Sequence, residues 1–192
     1  MSLDPIRDAE RDKYSQIWTK VPDYRRHSPG ERLLGTFRTY VDPQGLKIID
    51  FGCGTGRAAL ALQKAGADVI GVDITFECLD PHVRDELLFF LEACLWDLPP
   101  GLSCDFGYCT DVMEHIPPSH VDAVLAGIRK ACKVGTFFQI ACFPDNFGRR
   151  IGKTLHETVK PAEWWAEKLR DLYSSVELAE IERRRIVAVC RV

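Results

Sequence analysis

No stretch of this chain is long and apolar enough to suggest a membrane segment. The longest largely apolar run, Val134 to Phe143, is broken by Gln139 and falls well short of the roughly 20 residues a bilayer span requires. The N-terminus, Met1-Ser2-Leu3-Asp4-Pro5, has no signal-peptide core, so a cytoplasmic protein with no membrane partner is expected. Positive charge is not in surplus: 25 Lys and Arg face 28 Asp and Glu, for a net charge of −3. A polyanion held against the whole surface is therefore disfavoured. The eight cysteines, at 53, 78, 94, 104, 109, 132, 142 and 190, include no C-x-x-C pair. Metal centres and disulfide frameworks show clustered spacing, so reduced, structural thiols and no metal are expected. Cys94, Cys109 and Cys142 fall at predicted strand ends, where one of them could line a pocket. With no internal repeat, low-complexity segment or linker, residues 1–192 read as a single domain.

What is present is a nucleotide-site pattern. Ile48-Ile49-Asp50-Phe51-Gly52-Cys53-Gly54-Thr55-Gly56 reads as a buried strand entering a glycine-rich turn. About 20 residues later, Val69-Ile70-Gly71-Val72-Asp73 reads as a second strand ending in a carboxylate, placed to grip a ribose. A dinucleotide fingerprint would want a third glycine at Arg57, to bring the helix close and expose amides to a pyrophosphate. The spacing here is instead Gly52-x-Gly54-x-Gly56, opened by Asp50. In these residues the chain resembles the class I S-adenosylmethionine-dependent methyltransferases, whose first motif has the form acid-x-Gly-x-Gly-x-Gly.

That resemblance carries motif-level support over residues 46–145 and is looser outside them. It implies an α/β fold: a doubly wound, mostly parallel, seven-stranded Rossmann-like sheet over 46–192, preceded by an N-terminal helical lid over 1–42. Residue patterning agrees, alternating strand and helix as a parallel sheet with right-handed crossovers requires. Strands are predicted at 47–51, 68–72, 88–94, 104–110, 136–143, 176–181 and 185–190, the last two as a hairpin with one antiparallel strand. Helices are predicted at 8–19, 31–41 and 56–65. A further helix starts at Ser119, with Asp122 as a capping box, and another begins near Pro161.

The resemblance also implies a cofactor, S-adenosyl-L-methionine (product S-adenosyl-L-homocysteine), and a site at the strand ends. Asp50 would order the loop, and Phe51, Gly52, Cys53, Gly54 and Gly56 would form it. Asp73, followed by Ile74, would accept from both ribose hydroxyls. Relatives hold the adenine with a carboxylate ahead of a Leu-Pro pair. Here Asp97, or the backbone at Leu95 with Trp96 against the ring, would do so, and a core Trp96 beside a solvated Asp97 fits as well. Thr110-Asp111-Val112-Met113-Glu114-His115-Ile116 resembles the run that packs beneath the methionine moiety. Arg25 or Arg26 would pair with the cofactor carboxylate.

Methyl transfer from a sulfonium needs positioning above all, with no metal required, and a general base helps where the acceptor is protonated. His156, His115, Asp111 and Glu114 are the candidates, His115 being also readable as structural. His156 ends a long connection within 144–160, read as an acceptor-side loop, whose Arg149, Arg150 and Lys153 could meet an anionic group. The leading expectation is methyl transfer to an O or N atom of a small-molecule or nucleotide-like acceptor, by a monomer or homodimer. Nucleic-acid methylation (tRNA or a modified base) and a non-catalytic cofactor-binding module stay open, although the Asp/Asn-Pro-Pro-aromatic and Pro-Cys base-methylation motifs are absent. A nicotinamide oxidoreductase is disfavoured by Arg57.

Overall fold

A computed structural model of the chain describes residues 4–26 and 28–192. Met1 to Leu3 and His27, parts of the expected N-terminal segment, lie outside the described residues. Helix α1 (Pro5–Lys20) opens the chain, capped by Asp4, whose carboxylate accepts from the amides of Ile6 and Arg7. Pro at the first turn costs it no hydrogen bond. Helix α2 (Pro29–Tyr40) follows, and then the alternation begins: β1 (Lys47–Phe51), α3 (Arg57–Lys64), β2 (Asp68–Asp73), α4 (Pro81–Glu86), β3 (Phe89–Glu92) and β4 (Cys104–Thr110). Helix α5 (Val121–Ala131), β5 (Cys132–Ala141), α6 (Ala162–Leu172), β6 (Ser175–Glu182) and β7 (Arg185–Arg191) complete it.

The seven strands lie in the order β3-β2-β1-β4-β5-β7-β6. Pairing is parallel from β3 through β5, while β7 runs antiparallel to both β5 and β6. The sheet is therefore mixed, a correction to the mostly parallel sheet expected. The charged hairpin turn at 183–184 brings β7 back between β5 and β6, reversing two of the six pairings. Buried apolar side chains cover both faces. One cluster centres on Trp165, Leu125, Ile128 and Phe138 beneath α5 and α6, the other on Phe37, Ile17, Leu62 and Tyr108 beneath α1 to α3.

One local prediction fails for a physical reason. The capping box at Ser119 does not form, because Pro117 and Pro118 turn the chain through a short 3-10 segment, Pro118–His120. Helix α5 starts after it at Val121 with no side-chain cap, and the Ser119 hydroxyl bonds the His120 ring instead. Helix α4 is short, with Pro81 in its first turn. Among the described residues no helix is long and apolar enough to cross a membrane.

Candidate functional site

Strand order reverses between β1 and β4, and the ends of such strands open a crevice at the switch. The cleft there, roughly 1000 Å³ with its open mouth included, is lined by residues from the ends of β1, β2 and β4 and from α1 and α2. Its floor is the glycine loop. Gly52, Gly54 and Gly56 all have positive φ, at 71°, 52° and 72°, a conformation open to glycine at no cost. Gly52 is also confined, since a Cβ there would meet Val112 Cγ2 at 2.5 Å.

The loop is tied to β2 through Asp73. One carboxylate oxygen accepts from the Gly54 amide at 2.9 Å and the other from the Ile74 amide at 2.8 Å. Burial lifts the Asp73 acid to about 6 against the lowering effect of those amides. Asp50 is 2% exposed and one of its oxygens has no partner. Burial first, and then the Asp73 charge, push its acid up to about 8. Both acids are positioned to gain from a cationic or hydroxyl-bearing ligand.

The roof is aromatic. Trp18 and Tyr24 contact one another with centroids 4.6 Å apart, and the Trp18 ring passes over the position a Gly54 Cβ would take, 3.5 Å away. Trp96 donates from Nε1 to Asp4 at 3.1 Å, joining the β3 exit to the start of α1. Near Asp111 the chain adopts φ 59°, the one positive φ outside glycine among the described residues. The Asp111 amide donates to the Gln139 carbonyl at 2.9 Å. His115 reaches the cleft, with Nδ1 2.8 Å from the Tyr14 hydroxyl. Burial and the neighbouring His156 lower the His115 pKa to about 3, so the ring is neutral.

Four carboxylates line the cleft, from Glu10, Asp50, Asp73 and Asp111, and none of its described lining residues is Lys or Arg. A pyrophosphate would meet only acids there, whereas a sulfonium and an ammonium suit it. A model of the methyltransferase-domain family matches residues 23–184 of this chain. The chain belongs to the class I S-adenosylmethionine-dependent methyltransferases. It is 37% identical over 152 residues to the ubiquinone biosynthesis O-methyltransferase of Methylococcus capsulatus, covering 72% of this chain and 63% of that protein. The chain thus spans less than two thirds of the length of that curated relative. Two solved methyltransferases share the fold. Magnesium protoporphyrin IX methyltransferase from Synechocystis with bound S-adenosylhomocysteine aligns with TM-score 0.65 at 19% identity, over 93% of each chain. The Burkholderia thailandensis 1,6-didemethyltoxoflavin-N1-methyltransferase aligns with TM-score 0.69 at 16% identity, over 100% of this chain and 91% of that one.

Within this methyltransferase domain the expected site residues divide. Asp50, Gly52, Cys53, Gly54, Asp73, Ile74, Trp96, Thr110, Asp111 and His115 line the cleft. Phe51 is in the core beneath it, and Gly56 packs against Leu79 and Val83 at the start of α3. Asp97 points outward to Arg7 at 3.2 Å. Arg25 is not among the lining residues; it donates to the carbonyls of Trp18, Glu77, Cys78 and Leu79 and faces Asp80. Arg26 is exposed beside Asp23. Glu114 is fully buried, accepting from the Ala141 amide at 3.0 Å, and burial holds its acid well above the carboxylate range, so it is a poor base.

His156 sits behind His115, with ring centroids 4.6 Å apart and its Nδ1 2.6 Å from the Phe143 carbonyl oxygen. Asp145 orders the connection that carries it, accepting from the amides of Gly148, Leu155 and His156. Arg149 and Lys153 are exposed and Arg150 pairs with Asp23, so this basic group lies outside the cleft lining. Cys94 is the one of the three strand-end thiols that lines the cleft, while sequence reasoning missed Glu10, Ser28, Pro29 and Gly30 as lining residues. Only the tight packing of Gly30 under Thr110 explains the last, and no sequence pattern signals it.

Proposed function

We propose that this chain catalyses methyl transfer from S-adenosylmethionine to an oxygen or nitrogen of a small-molecule or nucleotide-like acceptor, by in-line displacement at the methyl carbon. The observation that carries the reading is Asp73 wired to the Gly54 amide, in a cleft with four carboxylates and no Lys or Arg among its described lining residues. Asp73 would exchange its amide partners for, or share them with, the ribose hydroxyls. The unpartnered oxygen of Asp50 would face the positive end of the methionine moiety. In this reading residues 4–26, through Tyr14, Trp18 and Tyr24, act as the lid.

Holding the acceptor about 3 Å from the methyl carbon supplies most of the catalysis. Of the four candidate bases, Asp111 and His115 line the cleft. The cleft charge gives no support to an anionic acceptor. The test is ligand-dependent thermal unfolding with S-adenosylhomocysteine and with NAD, followed by turnover of methyl-labelled S-adenosylmethionine against oxygen and nitrogen acceptors. Stabilisation by S-adenosylhomocysteine alone, with label transferred, supports the enzyme. Stabilisation without transfer to any acceptor class would favour a binding module, and a shift with NAD alone would overturn the proposal.

A further inference from the structure

Glu114, His115 and His156 present one carboxylate oxygen and one ring nitrogen each, all within 4.8 Å of one another. Three observations make this more than close packing. Glu114 Oε2 is buried with no hydrogen-bond partner. The Asp111 carboxyl group is hydrogen-bonded to Glu114, so two acids and two imidazoles share one buried place. Each histidine is anchored through Nδ1 and keeps its second ring nitrogen available. His156 Nδ1 faces the Phe143 carbonyl, which can only accept, so in the neutral ring Nε2 carries the lone pair. His115 Nδ1 is engaged by the Tyr14 hydroxyl, leaving its Nε2 free. Acceptors gathered in a buried place call for a cation, and histidines anchored through Nδ1 are the arrangement metal ligands show.

We infer that Glu114, His115 and His156 form a site for a divalent first-row metal ion, of the Zn2+ class, at the acceptor side of the cleft. A nitrogen-rich set with one carboxylate suits such an ion, and ligands around it would sit about 3.4 Å apart, so groups now within 4.8 Å of one another would have to draw together on binding. The ion would satisfy the unpartnered Glu114 oxygen, and His115 would present it to the cleft. The metal-free expectation came from cysteine spacing, which says nothing about residues that meet only in the fold.

Metal binding stands on the cluster alone, while its use rests on the methyl-transfer reading. There the ion would bind an acceptor hydroxyl and ease loss of its proton to Asp111. The oxygen lone pair then forms the O–CH3 bond as the C–S bond breaks, its electron pair remaining on sulfur. The acceptor class this selects is a hydroxyl compound.

The experiment is metal analysis of the full chain, purified without chelator, then stripped with EDTA and dialysed against Zn2+ or Co2+. Wild type is expected to retain about one equivalent per chain and to give visible Co2+ absorption bands. Affinity should fall at least tenfold in both His156→Ala and Glu114→Gln. His156 lies outside the cleft lining, so His156→Ala should keep its thermal shift with S-adenosylhomocysteine, which certifies its fold. Wild type taking up no more metal than His156→Ala would overturn the inference, leaving a proton shared between Glu114 and Asp111. Metal uptake without any S-adenosylhomocysteine shift would instead sink the functional reading and leave the metal site standing.

Discussion

The Asp73 carboxylate holds the Gly54 amide at 2.9 Å, so the residue expected to grip a ribose also fixes the glycine loop. Binding and loop order therefore depend on one side chain. At a hundredfold excess over its dissociation constant, S-adenosylhomocysteine should stabilise the domain by about 2.7 kcal/mol, a rise of roughly 5–10 °C in Tm at this size. Asp73→Ala should abolish that rise, and Asp73→Asn, which keeps one acceptor, should retain part of it. Differential scanning fluorimetry checks both; an unchanged shift in Asp73→Ala would remove Asp73 from the site.

The two buried acids also set a pH dependence. Folding raises Asp50 to about 8 and Asp73 to about 6, both above the unfolded value of 3.8. Between the unfolded and folded pKa the native state holds the extra proton, so these groups stabilise the ligand-free fold less as pH rises. The Asp73 contribution declines from about pH 4 to 6, and the Asp50 contribution continues to decline to about pH 8. Cationic S-adenosylmethionine prefers the ionised acids, so its affinity should rise over the same interval. Its affinity relative to neutral S-adenosylhomocysteine should climb between pH 6 and 8, and Asp50→Asn should flatten that climb. Calorimetric titration at several pH values reads the ratio, and a flat ratio in wild type would contradict the assigned role of Asp50.

Gly52 is constrained twice, by its φ of 71° and by Val112 at 2.5 Å from any Cβ, whereas Gly101 has a φ of 83° with nothing within 4 Å. Gly101→Ala should cost about 1–2 kcal/mol from backbone strain alone. Gly52→Ala should cost that plus roughly 1–3 kcal/mol for the clash. Urea unfolding of the two variants separates the terms, and equal losses would mean that Val112 moves aside freely.

How much of this was legible in the sequence depends on the range of the interaction. The glycine loop, Asp73 and the strand order around β1 follow from local signals, since turn chemistry and alternating apolar runs act within about 20 residues. Trp96, expected either against the cofactor ring or in the core, lines the cleft, but its partner Asp4 lies at the far end of the chain and left no trace in spacing. The convergence of His115 and His156 is of the same kind. It depends on Asp145 ordering the loop and on Thr158 donating to the Glu114 carbonyl at 2.9 Å. Neighbouring prolines, rather than residue preference, undid the capping box at Ser119.

Arg25 shows how an exposed-looking basic residue becomes structural. Its guanidinium reaches three carbonyls of the 77–79 segment and the Asp80 carboxylate, and it stacks on Trp18 at 5.6 Å. Asp80 is shared with Arg57 at the start of α3, so one buried acid joins the N-terminal segment to the helix behind the glycine loop. Removing Arg25 would strand part of that network, and hydrogen bonds to a charged group contribute about 1.5–3 kcal/mol each before relaxation and solvent exchange reduce them. Arg25→Ala should therefore lower stability by about 1–3 kcal/mol. It should also weaken cofactor binding by loosening Trp18 over Gly54. Arg25→Lys should recover little, because one ammonium cannot span the fork. Arg26→Ala, at an exposed ion pair, should change stability by less than about 0.5 kcal/mol. Urea unfolding and S-adenosylhomocysteine titration on all three variants check this. Were Arg25→Ala to lose affinity with its stability intact, Arg25 would contact the cofactor carboxylate after all, and the carbonyl bonds would be those of a ligand-free state.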